Sequence, residues 1–317
     1  YNEGPYYQRY ALMPFVTFAK AIEHNEPERK IFEARDGILL KAIKTTIELS
    51  YNGLFFPIND AIKDKTYETV EMVFAANIDY AEYGQNPGWI DIAERQGRVT
   101  LTDAGLAVAL GWNEGKLQPF NWNSMFLADG AKGDEGGIGI FRAGTNDDQS
   151  CLLMKYTSHG LSHGHYDKLG FLYYNNNVEV IRDYGAARFL NIAAKFGGRY
   201  LPENTTWANQ SIAHNTVTVD ETCQFNGEYN TSSQHHPVAV SFSDADKNFQ
   251  YMSALDTNAY TGISMYRTMA LAQIPSLEHP IVLDVFQLES NEPHQYDLPF
   301  YYAGQLIETD FSAEMLT

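Results

Sequence analysis

A change of hydrophobic period near Asp129 constrains this chain more than any other feature of its sequence. Ahead of it, apolar residues recur at three- and four-residue intervals. After Asn25-Glu26-Pro27 they fall on Ile31, Ala34, Ile38, Leu39, Ala42, Ile43 and Ile47, the stripe of an amphipathic helix. Residues 11–22 read as an earlier helix opened by Gly4-Pro5, since proline is tolerated in a first turn. Two further helices are predicted at about 67–83, with Val70, Phe74, Ile78 and Ala81 on one stripe, and at 103–112. Helices in succession joined by short loops suggest a bundle, solenoid or toroid of helical hairpins.

Beyond Asp129 the pattern changes. Gly130, Gly133, Gly136, Gly137 and Gly139 mark a linker, and the runs that follow alternate with period two. Strands are predicted at 138–143, 150–157, 169–175, 178–183, 216–220, 238–244, 250–255, 264–272 and 280–289. Short runs separated by Asn, Gly, Asp or Pro read as an antiparallel sandwich. The expected fold class is α+β and multidomain. Residues 1–128 form helical hairpins and residues 129–317 an antiparallel β-sandwich. The abrupt Tyr-rich opening and the close on Ala-Glu-Met-Leu-Thr predict a helical domain incomplete at its N-terminus and a sandwich incomplete at its C-terminus.

At 317 residues and 44% apolar content the chain can bury two cores. Its 40 acidic against 22 basic residues, net −18, exclude nucleic acid as a partner, which needs a basic surface. An acidic ligand is admissible only where local arginines reverse the field, which draws attention to Arg9, Arg182, Arg188 and Arg199. No apolar run reaches the length of about 20 residues that spans a membrane. Cys151 and Cys223 do not make a disulfide framework. A homo-oligomer remains admissible.

The chemistry concentrates at 158–220. His159, His163 and His165 fall in Ser-His-Gly-Leu-Ser-His-Gly-His-Tyr-Asp at 158–167, and His214 stands just before an apolar alternation. Residues 169–183 read as a hairpin turning at Asn175-Asn176-Asn177. Centred on Asn176, it sets Asp183 opposite Leu169, at the open end that His165 shares. With His214 this makes a His-Asp-His set suited to zinc, with manganese or nickel also admitted by its softness. The bland alternative is that His165 and His214 hydrogen-bond loop backbone. Near the N-terminus Tyr7 and Tyr10 are three apart, so on a helix they share a face while Arg9 projects elsewhere.

These motifs together resemble the heparinase II/III-like polysaccharide lyases, and among them most the alginate lyases of polysaccharide lyase family 17. The resemblance rests on Tyr-Asn-Glu-Gly-Pro-Tyr-Tyr-Gln-Arg-Tyr-Ala, Ser-His-Gly-His-Tyr-Asp-Lys-Leu-Gly, Arg-Asp-Tyr-Gly-Ala-Ala-Arg-Phe, Gly-Gly-Arg-Tyr-Leu-Pro-Glu-Asn and Ile-Ala-His-Asn-Thr-Val-Thr-Val-Asp. It implies a partial (α/α) toroid followed by a sandwich, and a structural Zn2+ on His165, Asp183 and His214. It also implies catalytic tyrosines at Tyr7 and Tyr200, an active-site imidazole at His163, and substrate contacts at Arg9, Tyr10 and Arg188. Tyr7 is preferred over Tyr6 because the match runs on through Gln8 and Arg9. The family further uses an Asn-His pair ahead of the Tyr-rich motif; His24-Asn25 stands in the wrong place and order for it.

The implied reaction is β-elimination at a uronate of alginate or oligoalginate, exolytic, in a periplasmic or extracellular setting. A base takes the C5 proton and the C4–O bond breaks, so donors must neutralise the sugar carboxylate. A tyrosine acting as base needs its pKa brought down from about 10, which a nearby Arg or imidazolium would do. Tyr200 is assigned as base and Tyr7 as acid, with exchanged roles, or one tyrosine serving as both, also admitted. The rival readings are a lyase for a heparin- or heparan-type glycan and a non-catalytic carbohydrate-binding sandwich.

Overall fold

In the computed structural model, residues 3–144, 149–189, 196–305 and 311–312 are described. Five helices come first: α1 (Pro5–Asn25), α2 (Ala34–Glu48), α3 (Val70–Glu82), α4 (Gly88–Gln96) and α5 (Asp103–Asn113). Gly4, at φ 89°, turns the chain into α1 and Pro5 occupies its first turn. Leu12, Val16 and Ala19 then form its buried stripe. The stretch after Pro27 departs from the single predicted helix. Two short 3₁₀ turns lead in, and Arg35, Asp36 and Gly37 take positive φ, which interrupts the hydrogen-bond ladder. Ile43 and Ile47 are buried as the stripe requires, while Ile38 is exposed. Val70 is also exposed, because α3 packs on both α1 and α5 and buries Met72, Val73, Ala75 and Ala76 rather than one stripe. α4 has no counterpart among the helices predicted from sequence.

A small hairpin, β1 (Ser50–Tyr51) and β2 (Leu54–Phe55), follows α2. The larger sheet comprises β3 (Met125–Ala128), β4 (Gly136–Ala143), β5 (Ser150–Thr157), β6 (Phe171–Asn175) and β7 (Val178–Ile181), antiparallel and in that order. Its first strand therefore lies just ahead of Asp129. A two-stranded pairing joins β8 (Thr218–Val219) to the late strand at Tyr296–Asp297. The second sheet is built from β9 (Val238–Ser243), β10 (Phe249–Asp256), β11 (Ile263–Ala272) and β12 (Ile281–Ser290), again antiparallel.

β4 and β5 are buried almost throughout, because the five-stranded sheet is covered on both faces. Phe141, Leu152 and Met154 meet Met252, Met265, Met269 and Leu271 of the second sheet. On the opposite face Ile138, Ile140, Leu153 and Leu172 meet Leu49, Phe56 and Ile58 from the segment after α2. Two-sided burial removes the polar alternation of a half-exposed strand. Polar anchors cross this second contact. Arg142 of β4 donates to Glu48 O at 2.8 Å and to Ser50 O at 2.7 Å. Lys155 of β5 binds both Asp167 oxygens at 2.6 and 2.7 Å and also reaches Asn59.

The helical core holds one costly group. Asp79 of α3 is buried, and burial lifts its pKa to about 7 despite a hydrogen bond from Trp89 and the charge of Lys44. A raised folded-state pKa makes the folded protein favour the protonated carboxyl. That preference contributes stability fully below about pH 4 and loses it as pH rises through 7. Asp79→Asn is therefore expected to add on the order of 1–3 kcal/mol at pH 8 and little at pH 4. Thermal melts at the two pH values check this; an equal shift at both would contradict it.

Candidate functional site

The site forms where the loop after β5 meets the segment following β2. His159, His163 and His165 lie on the loop between β5 and β6, and its tight course depends on Gly164. A Cβ there would stand 1.4 Å from His159 O, so no side chain fits between the two later imidazoles. Gly185, at φ +62°, plays the same part on the opposite wall. Its absent Cβ would lie 2.4 Å from Ala61 O, letting the Asp183 loop close on the helical half.

Asp60, to which no motif in the sequence gives a role, is the group on which these loops converge. Its backbone N donates to His163 O at 3.1 Å, and its carbonyl accepts from the Tyr7 hydroxyl at 3.3 Å. Its carboxylate meets His165 Nε2 at 3.2 Å, His163 Nδ1 at 3.3 Å and Asn204 Nδ2 at 2.8 Å. Burial pushes the Asp60 pKa up, but His165, Asn204 and His163 together hold it below the usual carboxylate value. The signal available in sequence was a polar Asn-Asp pair ending the apolar run Phe55-Phe56-Pro57-Ile58.

His165, Asp183 and His214 are all buried, and one donor atom from each lies within 4.8 Å of the others. They arrive differently from the hairpin expectation. The turn runs through Asn176 and Asn177, both at positive φ, and a register shift at Tyr173/Tyr174 pairs Tyr173 with Ile181, where a centre on Asn176 would pair it with Glu179. Asp183 lies past the end of β7. Asn215 secures the arrangement by donating to Phe171 O at 3.0 Å and Arg182 O at 2.8 Å, which pins His214 against the hairpin. Asp183 Oδ2 is 2.9 Å from His214 Nδ1, and its Oδ1 accepts from Gly185 N.

Those three residues fit a divalent cation on one internal observation. His165 Nδ1 and His214 Nε2 are buried and have no hydrogen-bond partner among the described residues. A buried ring nitrogen left unpaired is costly in a purely hydrogen-bonded cluster and natural in a ligand set. The His165 ring is oriented from behind by Asp60, as a carboxylate orients a ligating imidazole.

The Tyr-rich opening of α1 divides by burial. Tyr6 is buried, edge-on to both Tyr7 and Tyr10. Tyr7 is half-buried and stacks on the His163 ring, centroids 3.8 Å apart, which distinguishes it from its neighbour. Tyr10 is exposed, with its aromatic contact to Tyr6 rather than to Tyr7. Arg9 is not offered to a ligand: its side chain is 4% exposed, ion-paired to Glu71 at 2.8 Å and packed over Tyr6 and Tyr10. Burial of an arginine demands such a partner, and the acid on α3 supplies it.

On the sheet side, Tyr200 is 84% exposed at the end of a short turn, with the Arg199 guanidinium 5.4 Å from its ring centre. Arg199 Nη1 lies 3.2 Å from His163 Nδ1, so Tyr7, His163, Arg199 and Tyr200 make one continuous line of contacts across the two halves. Arg188 is half-buried, 5.3 Å over the Phe196 ring, and the amide of neighbouring Ala187 donates to Asn204 Oδ1 at 3.1 Å. Tyr7, the tyrosine assigned as acid, has its pKa shifted upward. Burial, then the Asp60 charge, raises it well above 10, with the Arg199 charge opposing. Tyr7 therefore keeps its proton at neutral pH.

A five-stranded sheet closed on one face by a second sheet and on the other by the segment after α2, with imidazoles at the seam, defines the class. Residues 126–316 match the family described as Heparinase II/III-like, C-terminal, and the chain belongs to that family. It is 53% identical to an exo-oligoalginate lyase of Saccharophagus degradans over 314 residues. To an alginate lyase of Stenotrophomonas maltophilia it is 48% identical over the same length. Each alignment takes in 99% of this chain and 42% of the relative, so the chain spans less than half the length of these curated relatives. Among solved structures, a heparinase III superposes with TM-score 0.66 at 16% identity, covering 98% of this chain and 41% of that one. The heparan sulfate lyase HepC of Pedobacter heparinus gives 0.55 at 14% identity, covering 85% and 36%.

Asp60→Ala would leave His163, His165 and Asn204 without their shared acceptor, and is expected to cost about 3 kcal/mol, the range for breaking a buried charged pair. Chemical denaturation checks it. A loss under about 0.5 kcal/mol, ordinary for a surface site, would contradict the role given to Asp60.

Proposed function

We propose that this chain carries the reacting groups of a polysaccharide lyase that cleaves alginate or its oligomers by β-elimination at a uronate, working from a chain end. One observation supports the reading above the rest: a phenol of the helical half lies against an imidazole of the sheet half, at 3.8 Å, and a guanidinium leads on to a second phenol. The names of the two alginate-cleaving relatives, at 53% and 48% identity, favour this sugar over a heparin-type glycan. The solved lyases, at 16% and 14% identity, speak for the fold alone. In this reading the helices form a partial (α/α) toroid, divided from the sandwich near residues 128–129. The protein acts in the periplasm or outside the cell, where a polymeric substrate is met. No helix of the described residues is long and apolar enough to cross a membrane.

The chemistry follows from the two phenols. Deprotonated Tyr200 takes the C5 proton, the electron pair forms the C4–C5 double bond, and the C4–O bond breaks. Tyr7 gives its proton to the departing oxygen, and solvent resets both groups between turnovers. A donor with a raised pKa suits that second role, because it arrives protonated. His163 and Arg188 neutralise the sugar carboxylate, on which charge builds as C5 loses its proton. Tyr10, exposed on the same turn of α1, is a sugar contact.

His165, Asp183 and His214 would hold Zn2+. When bound, the cation would serve structurally, tying the loop between β5 and β6 to the Asp183 loop and the His214 strand. The measurable consequence is stability. Chelation is expected to remove about one zinc per chain, seen by elemental analysis, and to lower the melting temperature at least as clearly as it lowers turnover. A stripped protein with an unchanged melting temperature would contradict a structural metal.

Ultraviolet absorbance of the new double bond tests the reaction itself. The protein is expected to act on alginate or oligoalginate and not on heparin or heparan sulfate. Tyr200→Phe, and separately Tyr7→Phe, should each cut turnover by about 10²-fold or more, the usual contribution of a proton-transfer group. Retained binding with no double bond from the unaltered protein on any uronate polymer would instead indicate a carbohydrate-binding module.

A further inference from the structure

The candidate site contains a cation that neither the reaction nor the metal set has used. Arg199 reaches from the turn that carries Tyr200 to the loop that carries His163. Its Nη1 donates to Ser162 O at 3.0 Å and Ser162 Oγ at 3.1 Å, and lies 3.2 Å from His163 Nδ1. Its Cζ stands 5.4 Å from the centre of the Tyr200 ring. His163 Nδ1 also has Asp60 Oδ2 at 3.3 Å, so one ring nitrogen faces an obligate donor and an acceptor together.

A neutral imidazole carries one N–H, and the two neighbours ask for opposite placements of it. The carboxylate calls for the proton on Nδ1. The guanidinium has no lone pair to offer, so its approach calls for Nδ1 bare and the proton on Nε2. Only the second tautomer leaves His163 an N–H that is not spent on Asp60.

We propose that Arg199 is a positioning residue that holds His163 as the Nε2–H tautomer, a donor for the substrate carboxylate, and that fixes the Tyr200 turn against the His163 loop. The inference rests on the lyase reading for its purpose, but not for its geometry. Arg199 acts through two other side chains and needs no contact with the sugar. It also accounts for an exposed phenol standing at a defined place, since the ring contact described for Tyr200 is with this guanidinium.

Two readouts on Arg199→Met, made in the whole protein, test it. Long-range proton–nitrogen correlation of the imidazoles, with His163 assigned by its disappearance in His163→Gln, reports the tautomer directly. His163 is expected as Nε2–H in the unaltered protein and as Nδ1–H, turned to Asp60, in Arg199→Met. In steady-state kinetics on oligoalginate kcat should fall by about 10- to 100-fold, on the scale of one charge-assisted hydrogen bond, while KM changes by less than about threefold. Arg199→Lys, a point charge without the planar fork, should recover only part of the loss. An unchanged His163 tautomer, a kcat within about twofold of the original, or a loss confined to KM would each overturn the proposal. Inactivity of the unaltered protein on every uronate polymer would count against the lyase reading instead, and the tautomer measurement would still decide the part given to Arg199.

Discussion

The buried carboxylate of Asp60 is the interaction on which the rest depends. It belongs to the helical half, yet its partners His163, His165 and Asn204 belong to the sheet half, and its own backbone takes the Tyr7 hydroxyl. A charge taken out of water is tolerated only when paired and hydrogen-bonded on nearly every lone pair. The two halves therefore cannot shift against each other without stranding it. Gly164 and Gly185 allow the approach, and Arg142 and Lys155 secure the flanks of the same seam.

From that fixed point two functions diverge. Towards the interior, Asp60 orients His165, whose other nitrogen is left without a hydrogen-bond partner among the described residues and which clusters with Asp183 and His214. Towards solvent, it supports His163, on which Tyr7 stacks and against which Arg199 sets the turn of Tyr200. The proposed metal set and the proposed proton-transfer groups thus share one carboxylate while staying separate in space. Burial sorts the Tyr-rich opening as well: Tyr6 and Arg9 are structural, Tyr7 stands at the seam and Tyr10 faces outwards.

Much of this was legible in the chain. The change of period near Asp129, a hairpin turn within Asn175-Asn176-Asn177 and most strands after it follow from local chemistry that a short window contains. What escaped has a common physical reason. Asp60 meets its partners at sequence separations of 103, 105 and 144 residues, and no local pattern marks a residue whose neighbours are that distant. The register shift at Tyr173/Tyr174 moves Asp183 without altering the alternation that revealed the strands. The pKa of Tyr7 is raised because burial and Asp60 outweigh Arg199, a balance that composition cannot supply. Arg9 looked like a ligand for an acidic sugar until α3 brought Glu71 to it.

The central claim is that one cleft, built from both halves around Asp60, receives a uronate between Tyr7 and Tyr200. A crystal structure of the protein with a bound alginate oligosaccharide tests it most directly. The account predicts a sugar whose carboxylate meets His163 and whose C5 and O4 lie within hydrogen-bond reach of the Tyr200 and Tyr7 oxygens. An oligosaccharide seated elsewhere, with Tyr7 and Tyr200 both untouched, would contradict it.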